Sequence, residues 1–375
     1  MERRALRDIS VCRTGALGGH RDVCPGCGCE REVFNSCRNR HCPKCQALRQ
    51  ARWVSERMAR ALPVRHFHVV FTLPAELREL VREHELLLLD LLFAAASETL
   101  LQLASDPDRL GGLLGVTAVV HTWGRNLIFH PHLHCIVTGG GLGPEQTWLE
   151  SSEKYLLPVK VLGALFRGKF LDGLAALFNQ GKLAVTPRTH RRVAELLAPS
   201  AFAKLKDQLY RKDWVVFTKA PFKKTDALFR YLGLYTHRVA ISNHRILHVD
   251  HQHVRFRTRD HKTCELAPVE FIRRFLLHVL PRGFVKVRHF GLYAAGNVNS
   301  KLVAARTALE QQPADPDRAR SQLEPGQITA LDWRDLFRQL TGIDLAACPN
   351  CGAKLASKPL LRSASSPRAP PSLQP

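Results

Sequence analysis

Apolar positions fall in short runs separated by proline, glycine and polar clusters, and the character of the runs changes along the chain. HFHVVFTLP (66–74) is β-branched and aromatic and stops at Pro74, which predicts a strand. Residues 76–104 predict a long helical region. VTAVVHTW (116–123) predicts a second strand, Gly124 a turn, and IFHPHLHCIVT (128–138) a third strand. Pro131 has no N–H to give a ladder, so pairing of that strand is expected from about His132. TWLES (147–151) reads as a short strand, and residues 159–178 as a helix. WVVFTKAPF (214–222) reads as a strand ended by Pro221. A further helix is expected from Thr225 or Asp226, either a suitable N-cap, through LFRYLGLYTHR. ILHVDHQHVRFR (246–257) predicts a hairpin with His251 and His253 at its polar turn, and EFIRRFLLHVL (270–280) a helix closed by Pro281. Strands and helices in this irregular order predict an α+β fold, not a doubly wound parallel sheet.

Organisation follows from where the runs are missing. Residues 1–55 are basic, cysteine-rich and poor in apolar runs, which predicts a small metal-stabilised module. The strands and helices of 60–300 form the main domain. Residues 301–354 are expected as a helical C-terminal region with one C-x-x-C, and the Pro/Ser-rich residues 355–375 as a disordered tail. MERRALRDIS lacks the apolar stretch of a secretory signal. LLLLDLLFAAASETLLQLA (86–104) is interrupted by Asp90 and Glu98, so a buried helix is expected there, not a membrane span. A cytoplasmic protein without membrane attachment is the resulting expectation.

Charge narrows the class of partner. Lys and Arg number 55 against 33 acidic residues, a formal net charge of +22 spread along the whole chain. A phosphate backbone rewards that sign and density, so DNA or RNA is the expected partner.

The cysteines supply candidate chemistry. Cys24/Cys27 and Cys42/Cys45 are two C-x-x-C units with fourteen residues between them. Zn²⁺ takes four soft ligands in a tetrahedron, and each unit offers two thiolates from one tight turn, so these four are the expected structural zinc ligands. Cys12, Cys29, Cys37, His20 and His41 lie close enough in sequence to compete. Cys348 and Cys351 make half of another such unit, and no later Cys or His completes it. A stable second site is therefore not expected.

In IFHPHLHCIVTGGG (128–141), His130, His132 and His134 fall at every second position, and a strand would turn them to one face. His132-Leu133-His134 lies in the paired part, followed by an apolar stretch and a glycine run that leaves room. Two neutral imidazoles with one more donor suit Mg²⁺, Mn²⁺ or a similar ion acting as a Lewis acid. The His66/His68 pair opens another apolar strand and is the rival. A hundred residues on, Tyr231 and Tyr235 sit at i and i+4, on one helix face. Leu228 joins them in a stripe that equally fits a helix core.

The succession NSCRNRHCPKCQ, HFHVVFTLP, HTWGRNLIFHPHLHCIVTGGGL and RYLGLYTHRVAISNHRI, from about Cys12 to Gly291, resembles the two-tyrosine rolling-circle transposases of bacterial insertion sequences, the IS91 type. These belong to the HUH (histidine–hydrophobic–histidine) single-strand endonucleases. The resemblance implies an antiparallel, ferredoxin- or RRM-like sheet over 60–300 with the histidine pair on a central strand. It implies that His132 and His134 hold a catalytic Mg²⁺ or Mn²⁺. Tyr231 and Tyr235 would be nucleophiles that cut single-stranded or hairpin element ends and keep a 5′-phosphotyrosine. The third metal ligand is open between His121, His130 and His68. His237, Arg238, Asn243 and Arg245 follow the tyrosines, where they would touch phosphate or simply cap a helix or line a solvated loop. The short leader before the zinc module and the low-complexity end are those expected of a shortened element copy.

Two rivals bound this reading. A non-enzymatic zinc-ribbon DNA-binding protein would use the tyrosines as core or as stacking platforms. A replication initiator or relaxase would share the chemistry, but the N-terminal zinc module weighs against it.

Overall fold

β-Branched runs pair where each can bury one face, and a computed structural model shows how these ones do. It describes residues 1–153, 156–187, 189–222, 240–258, 262–312, 332, 334–335, 337–338 and 342–360. In chain order the strands are β1 (Gly19–Val23), β2 (Glu30–Phe34), β3 (His66–Thr72), β4 (Gly115–Trp123), β5 (Phe129–Thr138), β6 (Gly140–Leu142) and β7 (Trp148–Glu150). They continue as β8 (Val216–Phe222), β9 (Ile246–Val249), β10 (Val254–Arg257), β11 (Thr263–Leu266), β12 (Val287–Gly291) and β13 (Ala356–Leu360). The chain divides into two compact units, one built from 1–59, 233–279 and 323–375, the other from 60–232 and 280–322.

The second unit holds a five-stranded antiparallel sheet in the order β12-β4-β5-β3-β8, with β5 at its centre. Residues alternate faces, so Phe67, Val69 and Phe71 of β3 share one face with Leu133, Cys135 and Val137 of β5, and all are buried. That face packs on two long apolar helices, Glu85–Ser105 and Val159–Asn179, through contacts such as Phe71 on Phe166 and Phe93 on Phe290. Each such side chain contributes about 1.5–3 kcal/mol on burial. Glu85–Ser105 is the one described helix apolar and long enough to cross a membrane, but Leu88, Leu89, Leu92 and Phe93 are fully buried, as in a core helix. The opposite sheet face carries His66, His68, His121, His132 and His134.

Pairing of β5 differs from side to side. Against β3 the ladder begins at Thr72↔His132, where Pro131 led one to expect it. Against β4 it reaches back to Trp123↔Phe129 through an irregularity between His121 and Trp123. A smaller cluster of Leu62, Val64, Leu142, Trp148, Leu292, Tyr293 and Leu302 packs separately, and the Tyr293 hydroxyl lies 3.0 Å from His66 Nε2. That contact commits His66 to structure.

The other unit combines two small sheets, β13-β1-β2 and β11-β10-β9. At the β9–β10 turn Asp250 accepts the amides of Gln252 and His253, at 2.7 and 2.6 Å, and this, with His248, pulls its carboxyl down to about 2. His251 and His253 thus belong to a polar turn. Residues 301–354, expected as one helical region, are split. Helix Lys301–Glu310 belongs to the unit with the large sheet, while 342–354 belong to the unit that contains the N-terminus. Residues 356–360, expected in a disordered tail, form β13 and pair with β1 from Val23↔Ala356 to Gly19↔Leu360. Ala-Ser-Lys-Pro-Leu carries no apolar alternation, and Pro359 is tolerated because β13 is an edge strand.

Candidate functional site

Cross-strand register builds the histidine site. His121 of β4 lies directly opposite His132 of β5, and Val119 opposite His134, so His121, His132 and His134 meet on one sheet face. One ring nitrogen from each lies within 4.8 Å of the others. The ring centroids of His121 and His134 are 4.2 Å apart and those of His132 and His134 4.9 Å. His121 stacks on Trp123 at 4.6 Å, and Lys286 lies over the indole at 4.9 Å.

Partners fix the rings. His132 Nδ1–H donates to the His130 carbonyl at 2.7 Å, which makes Nε2 the atom available as a ligand. His134 Nδ1 lies 2.7 Å from His68 Nε2, with the two rings nearly parallel at 4.9 Å. Burial, with Lys219 nearby, drives the His68 imidazolium pKa down to about 4, so His68 is neutral at physiological pH. When its Nε2 accepts the His134 Nδ1–H, the Nε2 lone pair of His134 is directed to the cluster. Three imidazoles gathered this way fit a divalent ion with open positions.

Of the three histidines open as a third ligand, the geometry brings His121 to the pair. His68 touches His134 from outside the set, and His130, though its ring is 5.3 Å from that of His132, offers no nitrogen to the set, its Nδ1 lying 3.4 Å from Arg78. His68 thus contacts the set without joining it, a distinction that sequence spacing alone did not make. Replacing it with phenylalanine, which keeps the ring and deletes the acceptor, is expected to weaken divalent-ion affinity about 10–100-fold. Isothermal titration with Mn²⁺ reads that directly; unaltered affinity would remove His68 from the site.

The cysteines divide differently from the expectation. Cys24, Cys27, Cys42 and Cys45 do not share one site. Cys42 and Cys45 lie with Cys12 and Cys37, whereas Cys24 and Cys27 lie with Cys348 and Cys351, each set with its sulfurs within 4.8 Å of one another. Neighbouring C-x-x-C units in sequence are here separated in space by the β1–β2 hairpin, which carries Cys24 away from Cys42. Cys29 and His41 join neither set, and His41 Nδ1 is instead 3.1 Å from Asn39 Oδ1. The Cys37 amide points to Cys12 Sγ at 3.5 Å, and Cys37 and Cys45 sulfurs are 3.8 Å apart.

Tyr231, Tyr235 and Arg238 lie outside the described residues. Arg245 is described: half-buried, it donates Nε–H to the Arg257 carbonyl at 2.7 Å.

Comparison with known proteins adds an independent line. Residues 1–73 match a family model described as "Transposase zinc-binding domain", and residues 115–301 one described as "Putative transposase". "Putative transposase y4qJ" of Sinorhizobium fredii is 42% identical over 357 residues, spanning 93% of this chain and 87% of that protein. "Transposase for insertion sequence element IS801" of Pseudomonas savastanoi pv. phaseolicola is 27% identical over 372 residues, spanning 95% and 85%. No solved structure matches.

Proposed function

The chain belongs to the IS91-type transposases with an N-terminal zinc-binding domain, and on that premise we propose that it nicks and transfers single DNA strands through tyrosine, in the manner of the HUH endonucleases. The observation that supports this most is the convergence of His121, His132 and His134 on the central strand pair of an antiparallel sheet. Such a sheet, with the pair on a central strand, is what a ferredoxin-like HUH domain requires.

The substrate is DNA, single-stranded or in a hairpin at the element ends, and the net charge of +22 favours its approach. Such a substrate goes with the cytoplasmic location read from the sequence. His121, His132 and His134 would hold Mg²⁺ or Mn²⁺, which supplies Lewis-acid polarisation of the scissile phosphate. The protein's own share is orientation. The His130 carbonyl and His68 fix two rings, Trp123 braces the third, and the buried strands around them keep the donors in place.

Tyr231 or Tyr235 is the nucleophile. Its phenolic oxygen bonds to phosphorus as the bond from phosphorus to the 3′-oxygen breaks, and the phenolic proton is balanced by the 3′-hydroxyl released. A phosphodiester is exchanged for a phosphotyrosine ester, so a second 3′-hydroxyl reverses the step without ATP. Two tyrosines let one hold a cleaved end while the other cuts again. Arg238 and Arg245 are assigned to phosphate contact.

Incubation with single-stranded end DNA and Mg²⁺ or Mn²⁺ is expected to give a covalent protein–DNA adduct. Tyr231→Phe and Tyr235→Phe singly should reduce it, and the double variant should abolish it. An adduct that survives the double variant sinks the assignment of the nucleophiles.

A further inference from the structure

The second cysteine set is made of two copies of one turn taken from opposite ends of the chain. Cys24-Pro25-Gly26-Cys27-Gly28 and Cys348-Pro349-Asn350-Cys351-Gly352 share the pattern C-P-x-C-G. Their backbones match as well. Gly28 N–H donates to the Cys24 carbonyl at 3.0 Å and Gly352 N–H to that of Cys348 at 2.9 Å. Cys24 N–H reaches the Cys29 carbonyl at 2.9 Å, and Cys348 N–H that of Ala353 at 2.8 Å. Both glycines are left-handed, with φ of 71° and 75°, a conformation that any side chain would strain.

The sulfurs face one another across the two turns. Cys24 Sγ is 3.4 Å from Cys351 Sγ, and Cys27 Sγ is 3.6 Å from Cys348 Sγ. A disulfide needs about 2.05 Å between sulfurs. Bond lengths of about 2.3 Å from a tetrahedral zinc instead set sulfurs near the separations seen here. The surrounding contacts brace the same arrangement, since β13 begins a few residues after Cys351 and pairs with β1, which leads into Cys24. Ser357 Oγ donates to the buried Asp22 at 2.6 Å, and Arg31 pairs with the other carboxylate oxygen at 2.9 Å.

We infer that Cys24, Cys27, Cys348 and Cys351 form a second structural zinc site, which joins the C-terminal segment to the N-terminal module. The family match for the zinc-binding domain ends at residue 73, so half of this site's ligands lie outside it. Four thiolates in a tetrahedron take Zn²⁺, and two tight turns that each present a pair of sulfurs suit a single ion. The module thus needs residues more than 300 positions downstream for its own completion.

The test is metal content of the full chain purified under reducing conditions. Mercurial titration with a zinc indicator should release two zinc ions per chain from the parent and one from Cys348→Ser. One zinc from the parent, two from the variant, or a Cys24–Cys351 disulfide in the peptide map each overturns the site. Iron in place of zinc overturns the identity of the ion. Should Cys348→Ser fail to fold, Cys351→His keeps a zinc ligand in place. It is expected to hold two ions and, loaded with Co²⁺, to lose part of the thiolate-to-cobalt absorbance. An unchanged cobalt spectrum rejects Cys351 as a ligand.

Discussion

Alanine at His134 is expected to lower divalent-ion-dependent nicking of single-stranded end DNA by about 10²–10³-fold. The ring has three neighbours that depend on it: His121 at 4.2 Å, His132 at 4.9 Å, and His68 hydrogen-bonded behind it at 2.7 Å. Deleting it removes one of three donors and leaves His68 without its partner at the site. A Lewis acid contributes several kcal/mol at a reacting phosphoryl group. Each 1.36 kcal/mol is tenfold in rate, so a loss of about 3–4 kcal/mol gives the stated range. Adduct yield against time, in Mg²⁺ and in Mn²⁺, measures it. DNA binding should change little, because the phosphate backbone is met by cations spread through the chain. Nicking within a few-fold of the parent would mean that the three histidines hold no catalytic ion.

Serine at Cys42 should unfold the N-terminal module. Cys42 and Cys12 are essentially fully buried, in a part of the chain whose buried apolar residues are otherwise few. Structural zinc in small fingers is worth about 10–16 kcal/mol of apparent binding energy, which exceeds the roughly 5–15 kcal/mol that holds a whole domain together. Serine is a poor replacement for a thiolate donor. Limited proteolysis is therefore expected to open residues 1–59 in Cys42→Ser, while fragments of the five-stranded unit persist. DNA affinity should fall with the module's loss. Zinc content and protease pattern identical to the parent's would strike Cys42 from the ligand set.

How much of this was readable from the sequence differs by element. The strands at 66–72, 115–123, 129–138 and 216–222 announce themselves through β-branched and aromatic runs bounded by proline or glycine. Alternation on one of them turns His130, His132 and His134 to one face, and Pro131 puts only His132 and His134 in the paired part. His121 could be named as a candidate but not chosen, because its place depends on the His121↔His132 register, which local patterns do not encode. The cysteines show the same limit more sharply. Two adjacent C-x-x-C units look like one site, and only folding reveals that each takes its partners elsewhere. A usable signal was present, since C-P-x-C-G recurs unchanged at 24–28 and 348–352. β13 had no signal of its own, because an edge strand with Ser, Lys and Pro is defined by what it pairs with.

The pairing of β1 with β13 also sets a timetable. During synthesis β1 and β2 emerge first and can form their hairpin, but the other edge of β1 must wait for residues 356–360. At about 5–20 residues per second, the ribosome adds the intervening stretch in roughly 15–70 s. Throughout that interval β1 presents an unsatisfied row of backbone donors and acceptors, the kind of edge on which chains aggregate. A nascent chain thus carries its first sheet open until residues 356–360 arrive to close it.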